Sequence, residues 1–153
     1  MLAALACVAV AVAGSSSSSF PVSWVLYSPD TQPPSGSFDS VVACPLLPSG
    51  SWVNGTGTIT FLETPGGNIN SSVAGTAVDN LGNTYQWSYR QSVKPIGDSG
   101  FSTVVDSFGL SGSGPAAGVH SHFIVTIDGT SLEDATVFDL RQLKGDPFDC
   151  DPI

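Results

Sequence analysis

Apolar and polar residues alternate along most of this chain. Between Trp52 and Leu62, every second position from Val53 to Phe61 carries an apolar side chain or glycine, and asparagine or threonine fills the positions between them. Side chains of a β-strand point alternately to opposite faces of the sheet, so the pattern predicts strands with one dry and one wet face. No segment shows a sustained apolar period of 3.6 residues, and the 17 glycines and 11 prolines are spread along the chain. The sequence therefore predicts an all-β fold.

Turn signals divide the alternating pattern into eight predicted strands. These are Val22–Ser28, Phe38–Cys44, Trp52–Leu62, Ile69–Val78, Thr84–Val93, Phe101–Leu110, Val119–Ile127 and Ala135–Leu143. Residues 79–83 are typical of a hairpin loop, and Asp128-Gly129 is a strong turn signal after a strand. Strands with one apolar and one polar side favour an antiparallel two-layer β-sandwich, or a jelly-roll or Greek-key barrel, of about eight strands.

The amino-terminal segment has the composition of a secretory signal. Residues 2–13 carry no charge and end in the small residues Ala11-Val12-Ala13, where a signal peptidase can cut. The segment is shorter than the about 20 residues that a membrane-spanning helix needs. We therefore predict a signal peptide over residues 1–13, a flexible serine-rich linker over residues 14–20 and a single β domain over residues 21–153. This predicts a secreted, extracellular or cell-surface protein with no membrane span after processing.

Removal of the signal segment leaves two of the three cysteines, Cys44 and Cys150. In an oxidising compartment two cysteines most simply pair. The sequence thus predicts a disulfide that ties an early strand to the carboxyl-terminal tail. Two free thiols, or a bond between two molecules, are the alternatives.

The charge balance excludes one class of partner. The chain has 13 acidic residues against four lysines and arginines, which gives a net charge of −9. Nucleic-acid affinity depends on lysine and arginine at the phosphates, so we expect no nucleic-acid partner.

The two histidines, His120 and His122, lie two residues apart on a predicted strand and therefore share one face. Two imidazoles at this spacing can converge on zinc, manganese or iron, with Asp106 or Asp139 of a neighbouring strand as a third ligand. The nine residues from Gly114 to His122 resemble the opening of the first cupin motif, a glycine followed after five residues by His-x-His. The later glutamate and the second motif's histidine are missing, so the family is not assigned. A polar strand face without a metal is the alternative.

A row of aromatic residues lies on the predicted strand Thr84–Val93. Tyr85, Trp87 and Tyr89 share one face, where three rings can form a stacking platform for a sugar ring or a glycan chain. Aromatic residues at alternate positions are also typical of the rings that a sheet buries in its core. Both interpretations stay open at this point.

The sequence lacks the Gly-x-Ser-x-Gly elbow, the phosphate-binding loop and the dinucleotide fingerprint. We predict a secreted, non-enzymatic β-sandwich that serves as a cell-surface, matrix or ligand-binding module. Its expected partner is an extracellular polysaccharide, a glycan or a like subunit, and sequons at Asn54 and Asn70 are candidate glycosylation sites.

Two alternatives remain. One is a small cupin-like protein that depends on a divalent transition metal at His120 and His122, the one cofactor that the sequence suggests. The other is a subunit of an extracellular filament whose apolar amino-terminal strand inserts into a neighbour, because Val8, Val10 and Val12 also alternate like a strand.

Overall fold

The structure is a computed structural model, and it describes residues 14–145 and 150–153. The predicted signal peptide lies outside the described residues. The elements of the described part are all β-strands, which confirms the predicted all-β class. No helix in this part of the chain is long and apolar enough to cross a bilayer.

Eight strands follow one another along the chain, each overlapping one predicted strand. They are β1 (Ser16–Tyr27), β2 (Ser40–Ala43), β3 (Trp52–Glu63), β4 (Ile69–Asp79), β5 (Thr84–Pro95), β6 (Phe101–Gly112), β7 (His120–Asp128) and β8 (Phe138–Gly145). The predicted turns also lie between strands. Gly82 and Gly129 in these turns each have a φ angle of 85°, a conformation that glycine adopts without the steric cost of a side chain.

The serine-rich stretch is part of β1 and is not a linker. Ser16 to Ser19 pair with Glu63 to Thr60 of β3 in antiparallel register, and Ser19 Oγ lies 3.0 Å from Thr60 Oγ1. Low complexity suggested flexibility, but a strand ladder is made of backbone groups, which serine supplies as other residues do. The prediction was wrong because the long β3 strand provides a partner along this whole stretch.

All eight strands belong to one sheet, in the order β2-β1-β3-β4-β5-β6-β7-β8. Neighbouring strands are antiparallel except β1 and β2, which are parallel. The described strands thus form a single curled sheet, where the sequence predicted a two-layer sandwich or a jelly-roll or Greek-key barrel. A twisted sheet of this length can coil on itself, so that its concave face encloses the core without a second sheet.

The disulfide connects the two ends of the curled sheet and confirms the predicted pairing of Cys44 with Cys150. Cys44 follows β2 at one end of the strand order and Cys150 follows β8 at the other. Their Cα atoms are nevertheless 4.6 Å apart and their sulfurs are bonded at 2.09 Å. The bond therefore joins the two ends of the sheet.

The concave face carries two hydrophobic clusters. The larger cluster centres on Trp24, whose ring meets those of Trp87 and Phe108 edge-on at centroid distances of 5.3 and 5.4 Å. The smaller cluster contains Val93, Val104, Phe123, Val125 and Ile127. Strands β5 and β6 contribute to both clusters, and β7 contributes to the smaller one. The same face of these strands is therefore the one buried from solvent.

Glycines of β3 and β4 make room for the indole rings. A Cβ atom on Gly55 would lie 2.2 Å from ring atoms of Trp24, and one on Gly75 would lie 2.4 Å from Trp87 Nε1. This close approach lets Trp87 Nε1 donate a hydrogen bond to the carbonyl oxygen of Thr56 at 3.0 Å. The glycines in the alternating pattern are therefore positions of close packing.

Candidate functional site

The two histidines lie on the convex face of β7, away from the core. His120 is exposed and His122 is half-buried. Ser107 Oγ lies 2.7 Å from His122 Nδ1, and the carbonyl oxygen of Gly118 lies 2.9 Å from His120 Nδ1. Each ring therefore already uses its Nδ1 in a contact within the chain.

The structure does not bring Asp106 to the histidines. Asp106 lies on the concave face and is 2% exposed, whereas the next residue, Ser107, is the register partner of His122. Since neighbouring residues of a strand point to opposite faces, the Asp106 side chain and the two imidazoles lie on opposite sides of the sheet.

Asp139, the other predicted metal ligand, lies on the edge strand β8. Its carboxylate forms an ion pair with Arg141, with 2.6 Å between Oδ2 and the guanidinium nitrogen. No three histidine, cysteine or acidic residues of the described ranges are grouped so that they could hold a metal ion. The predicted set of four ligands is therefore not assembled here.

The predicted glycan platform is buried. Tyr85, Trp87 and Tyr89 are 1–2% exposed and belong to the larger hydrophobic cluster. The curl of the sheet makes their face the concave one, so these rings have no surface free to stack on a sugar. Of the two interpretations that the sequence left open, the core role describes their position.

A polar row crosses the concave face between the hydrophobic clusters. Ser71 of β4, Gln91 of β5 and Asp106 of β6 are register partners on adjacent strands. Asp106 Oδ2 accepts hydrogen bonds from the Tyr89 hydroxyl at 2.8 Å and from Gln91 Nε2 at 3.0 Å. Asp106 Oδ1 is buried and accepts no hydrogen bond from the N–H or hydroxyl groups of the described residues. Because buried acceptors are normally hydrogen-bonded, a further donor is required there.

A protonated carboxyl group of Asp151 can supply that donor, because its side chain is hydrogen-bonded to that of Asp106. The disulfide at Cys150 holds the tail against the concave face, where Ile153 packs against the larger cluster. Asp151 accepts hydrogen bonds from Ser121 Oγ at 3.3 Å and from the backbone N–H of Ile153 at 3.2 Å, and its carboxyl group is hydrogen-bonded to that of Asp106. Two carboxylates cannot donate to each other, so this contact requires one proton on the pair.

Burial and charge keep this proton bound. Desolvation, followed by the negative charge of Asp106, raises the pKa of Asp151 to about 8. Desolvation also raises the pKa of Asp106, against the opposing hydrogen bonds from Asp151, Gln91 and Tyr89. Because Asp106 already accepts two hydrogen bonds from other residues, we assign the proton to Asp151. The pair then carries a single negative charge near neutral pH.

The convex face differs in character, because rows of hydroxyl and amide side chains cross it, with apolar residues such as Leu62 and Val78 exposed between them. One row across the strands contains Ser23, Thr56, Thr76, Gln86 and Ser111. A parallel row contains Ser19, Thr60, Ser72, Arg90, Ser107, His122 and Lys144. Polar side chains thus form a continuous surface from β1 to β8.

Two shallow grooves lie on this convex face. One, of about 320 Å³, is lined by Ser72, Arg90 and Ser107 among others. The second, of about 470 Å³, is lined by Thr56, Thr76 and Gln86 among others. Both grooves open to solvent along the sheet, so an extended polar ligand can lie across the strands.

The two sequons also lie on the convex face. Asn70 is exposed near one end of β4, and Asn54 is half-buried on β3. Asn54 also lines the larger groove, so a glycan attached there would occupy part of the same surface.

Asp151 is the residue that sequence reasoning missed. A signal was available, because Asp151 follows Cys150 and any disulfide there would carry it to the sheet. Its partner Asp106 was noticed, but as a metal ligand on the wrong face. The pairing itself depends on the curl of the sheet, which a single sequence does not reveal.

Comparison with known proteins assigns no family to this chain. No protein-family model, no curated protein and no solved structure matches it.

Proposed function

We propose that this protein is an exported, non-enzymatic binding module whose convex sheet face binds an extracellular polysaccharide or glycan. The signal-like composition of residues 2–13 supports export. The Cys44–Cys150 bond suits an oxidising compartment. A single sheet closed by a disulfide provides a rigid surface for such a role.

The observation that carries the proposal is the polar convex face. Its rows of serine, threonine and glutamine place hydrogen-bonding groups on adjacent strands, about 4.8 Å apart. A polysaccharide presents many hydroxyl groups, which can exchange hydrogen bonds with such a surface. Because strands hold these side chains in place, binding does not have to order a loop, and its entropic cost is reduced.

Binding to polysaccharides tests this proposal. The mature protein is incubated with a panel of soluble polysaccharides, and affinity is measured by isothermal titration calorimetry. Replacing Thr56 and Thr76 together by valine keeps the shape and strand propensity but removes two hydroxyl groups from the larger groove, so we expect weaker binding. Thr130→Val, at an exposed loop position, is the matched control and should bind as the unaltered protein does. Failure of the folded protein to bind any polysaccharide would refute the proposal.

A second candidate function is a subunit of an extracellular assembly, and strand β8 favours it. This edge strand and the residue before it expose four large apolar side chains, each 41–56% accessible: Val137, Phe138, Leu140 and Leu143. Phe138 and Leu140 are register partners of the buried residues Ile127 and Val125. These four exposed side chains, the β8 strip, therefore extend the apolar surface of the core to the solvent-exposed edge of the sheet. Exposed apolar edge strands pair readily with other chains.

The opposite side of the sheet offers a complementary edge. Strand β2 pairs only with Trp24–Tyr27 of β1, which leaves the outer edge of Ser16–Val22 without a strand partner in the described part of the chain. An edge of β8 from one molecule can pair with this edge of a second molecule. Such a head-to-tail contact builds open filaments or closed rings.

Sedimentation velocity measures this self-association. The Phe138→Lys/Leu140→Lys variant places two charges on the β8 strip and should remain monomeric at concentrations where the unaltered protein associates. Leu81→Lys is the matched control, because Leu81 is 72% exposed at a hairpin tip away from both edges. If the unaltered protein stays monomeric, the assembly candidate is rejected.

A further inference from the structure

The basic residues of this acidic chain are distributed unevenly. Three of its four lysines and arginines project from the convex face: Arg90 and Lys94 of β5 and Lys144 of β8. The fourth, Arg141, is paired with Asp139. Both histidines lie on the convex face as well. The convex face thus carries three of the four lysine and arginine side chains.

Two of these basic residues, Arg90 and Lys144, lie at the ends of one line across the strands. Arg90, Ser107, His122 and Lys144 are successive register partners on β5, β6, β7 and β8. With neighbouring strands about 4.8 Å apart, the line extends over roughly 14 Å. The contact between Ser107 Oγ and His122 Nδ1, at 2.7 Å, holds the imidazole in this row.

No carboxylate of the described residues shares this row. Asp79 and Asp106 are buried, and Asp128 is held at the end of β7 by the hydroxyl of Thr136 and backbone groups. The one ion pair between described side chains is that of Arg141 and Asp139. The charges of Arg90 and Lys144 are therefore unpaired within this part of the structure.

This arrangement favours an anionic partner. Cations gathered on one face repel one another, and a bound anion relieves that repulsion. The remaining surface of a protein with a net charge of −9 repels polyanions, which directs them to the convex face. The Arg90 guanidinium can bind a carboxylate or sulfate through two parallel hydrogen bonds, and Ser72 and Ser107 lie beside it.

We propose that the ligand of the convex face is an acidic polysaccharide, whose carboxylate or sulfate groups bind along the row Arg90, Ser107, His122 and Lys144. This inference rests on the proposed function and names its ligand class. The neutral row with Thr56, Thr76 and Gln86 receives the sugar hydroxyls. Single-stranded nucleic acid is the other polyanion to consider, but its binding uses exposed rings on which bases stack, and the aromatic row of β5 is buried.

The test uses four defined probes with the folded mature protein: alginate, dextran sulfate, neutral dextran and a single-stranded DNA oligonucleotide. We expect alginate or dextran sulfate to bind, with affinity that decreases as salt is added. Arg90→Gln/Lys144→Gln should lower this affinity by about tenfold or more, since a charged hydrogen bond contributes about 1.5–3 kcal/mol. Arg141→Gln removes the same charge from a paired site and should change the affinity less than about twofold.

The outcomes separate this inference from the proposal on which it rests. Equal binding of dextran and alginate without salt dependence would overturn the acidic ligand and leave the glycan-binding function intact. Binding of no polysaccharide would overturn both. Tighter binding of DNA than of either acidic polysaccharide, or equal losses in the Arg90→Gln/Lys144→Gln and Arg141→Gln variants, would also overturn the inference.

Discussion

Asp106 of β6 and Asp151 of the tail place their carboxyl groups in hydrogen-bond contact inside the curled sheet. The tail reaches this position because Cys150 is bonded to Cys44 at the far end of the strand order. A buried pair of like groups is stable only while one of them is protonated. The contact therefore links the closure of the sheet to both pH and disulfide formation.

The first prediction concerns the pH dependence of stability. The pKa of Asp151 is raised from 3.8 to about 8 in the folded protein, so the folded state keeps a proton that the unfolded chain releases. The free energy of unfolding should then fall as the pH rises from about 4 to about 8 and level off above, with a limiting slope of about 1.4 kcal/mol per pH unit for one proton. Urea denaturation across this range measures the slope.

Asp151→Asn is the control for that slope. The amide is always neutral and can donate to Asp106, so the variant should lose most of the pH dependence and exceed the unaltered protein in stability at about pH 8. A slope that is the same in both proteins would show that other groups cause it.

The second prediction concerns the disulfide. Replacing Cys44 and Cys150 by serine opens a link between residues 106 positions apart, which the chain-entropy model values at about 4–5 kcal/mol as an upper estimate. We expect a loss of a few kcal/mol in the free energy of unfolding, together with a flatter pH slope, because Asp151 is no longer held near Asp106. Denaturation of oxidised and reduced protein at two pH values measures both effects. A slope that survives reduction would mean that the tail docks without the bond.

The third prediction concerns the glycine at the indole ring. Gly75→Ala introduces a Cβ atom 2.1 Å from the carbonyl oxygen of Thr56 and 2.4 Å from Trp87 Nε1, so the backbone or the ring must move. We expect a destabilisation of about 1–3 kcal/mol, the usual cost of overpacking. Gly109→Ala is the matched control in β6, where no atom lies within 4 Å of the added carbon, and it should be neutral or slightly stabilising. Thermal unfolding of the two variants compares them, and equal effects would contradict the packing argument.

The fourth prediction concerns Asp79 at the β4–β5 hairpin. Its buried carboxylate accepts hydrogen bonds from the Tyr85 hydroxyl and Asn83 Nδ2, each at 2.8 Å, and from the backbone N–H groups of Leu81 and Asn83. Asp79→Ala leaves these donors unpaired beside a buried ring and should cost about 1–3 kcal/mol. Asp79→Asn keeps one acceptor oxygen and should cost less, as chemical denaturation can show.

The same residue should contribute to acid sensitivity. Desolvation acts to raise the pKa of Asp79, but the hydrogen bonds from Asn83 and Tyr85 outweigh it and leave the pKa below 3.8. The stabilisation is therefore present above about pH 4 and is lost as the pH falls through the folded-state pKa. Asp79→Asn should flatten the stability curve below pH 4, and an unchanged curve would assign the acid transition to other carboxylates.

Much of the local structure follows from the sequence alone. The alternation of Val53, Ile59 and Phe61 with threonine identifies a strand, and the glycine turns mark where strands end, because both signals act within a few residues. The count of cysteines led to the Cys44–Cys150 pair, since only two remain after the predicted signal segment. Alternation also placed Tyr85, Trp87 and Tyr89 on one face of β5.

The tertiary structure decided which face of each strand is buried from solvent. Alternation separates the two sides of a strand but does not state which side becomes concave, so Tyr85, Trp87 and Tyr89 could be read as a platform or as core. The curl and the register resolve this, because they arise from pairing between distant strands. The same long-range pairing puts Asp106 on the side opposite His122 and brings Asp151 to it, a contact that no local pattern encodes.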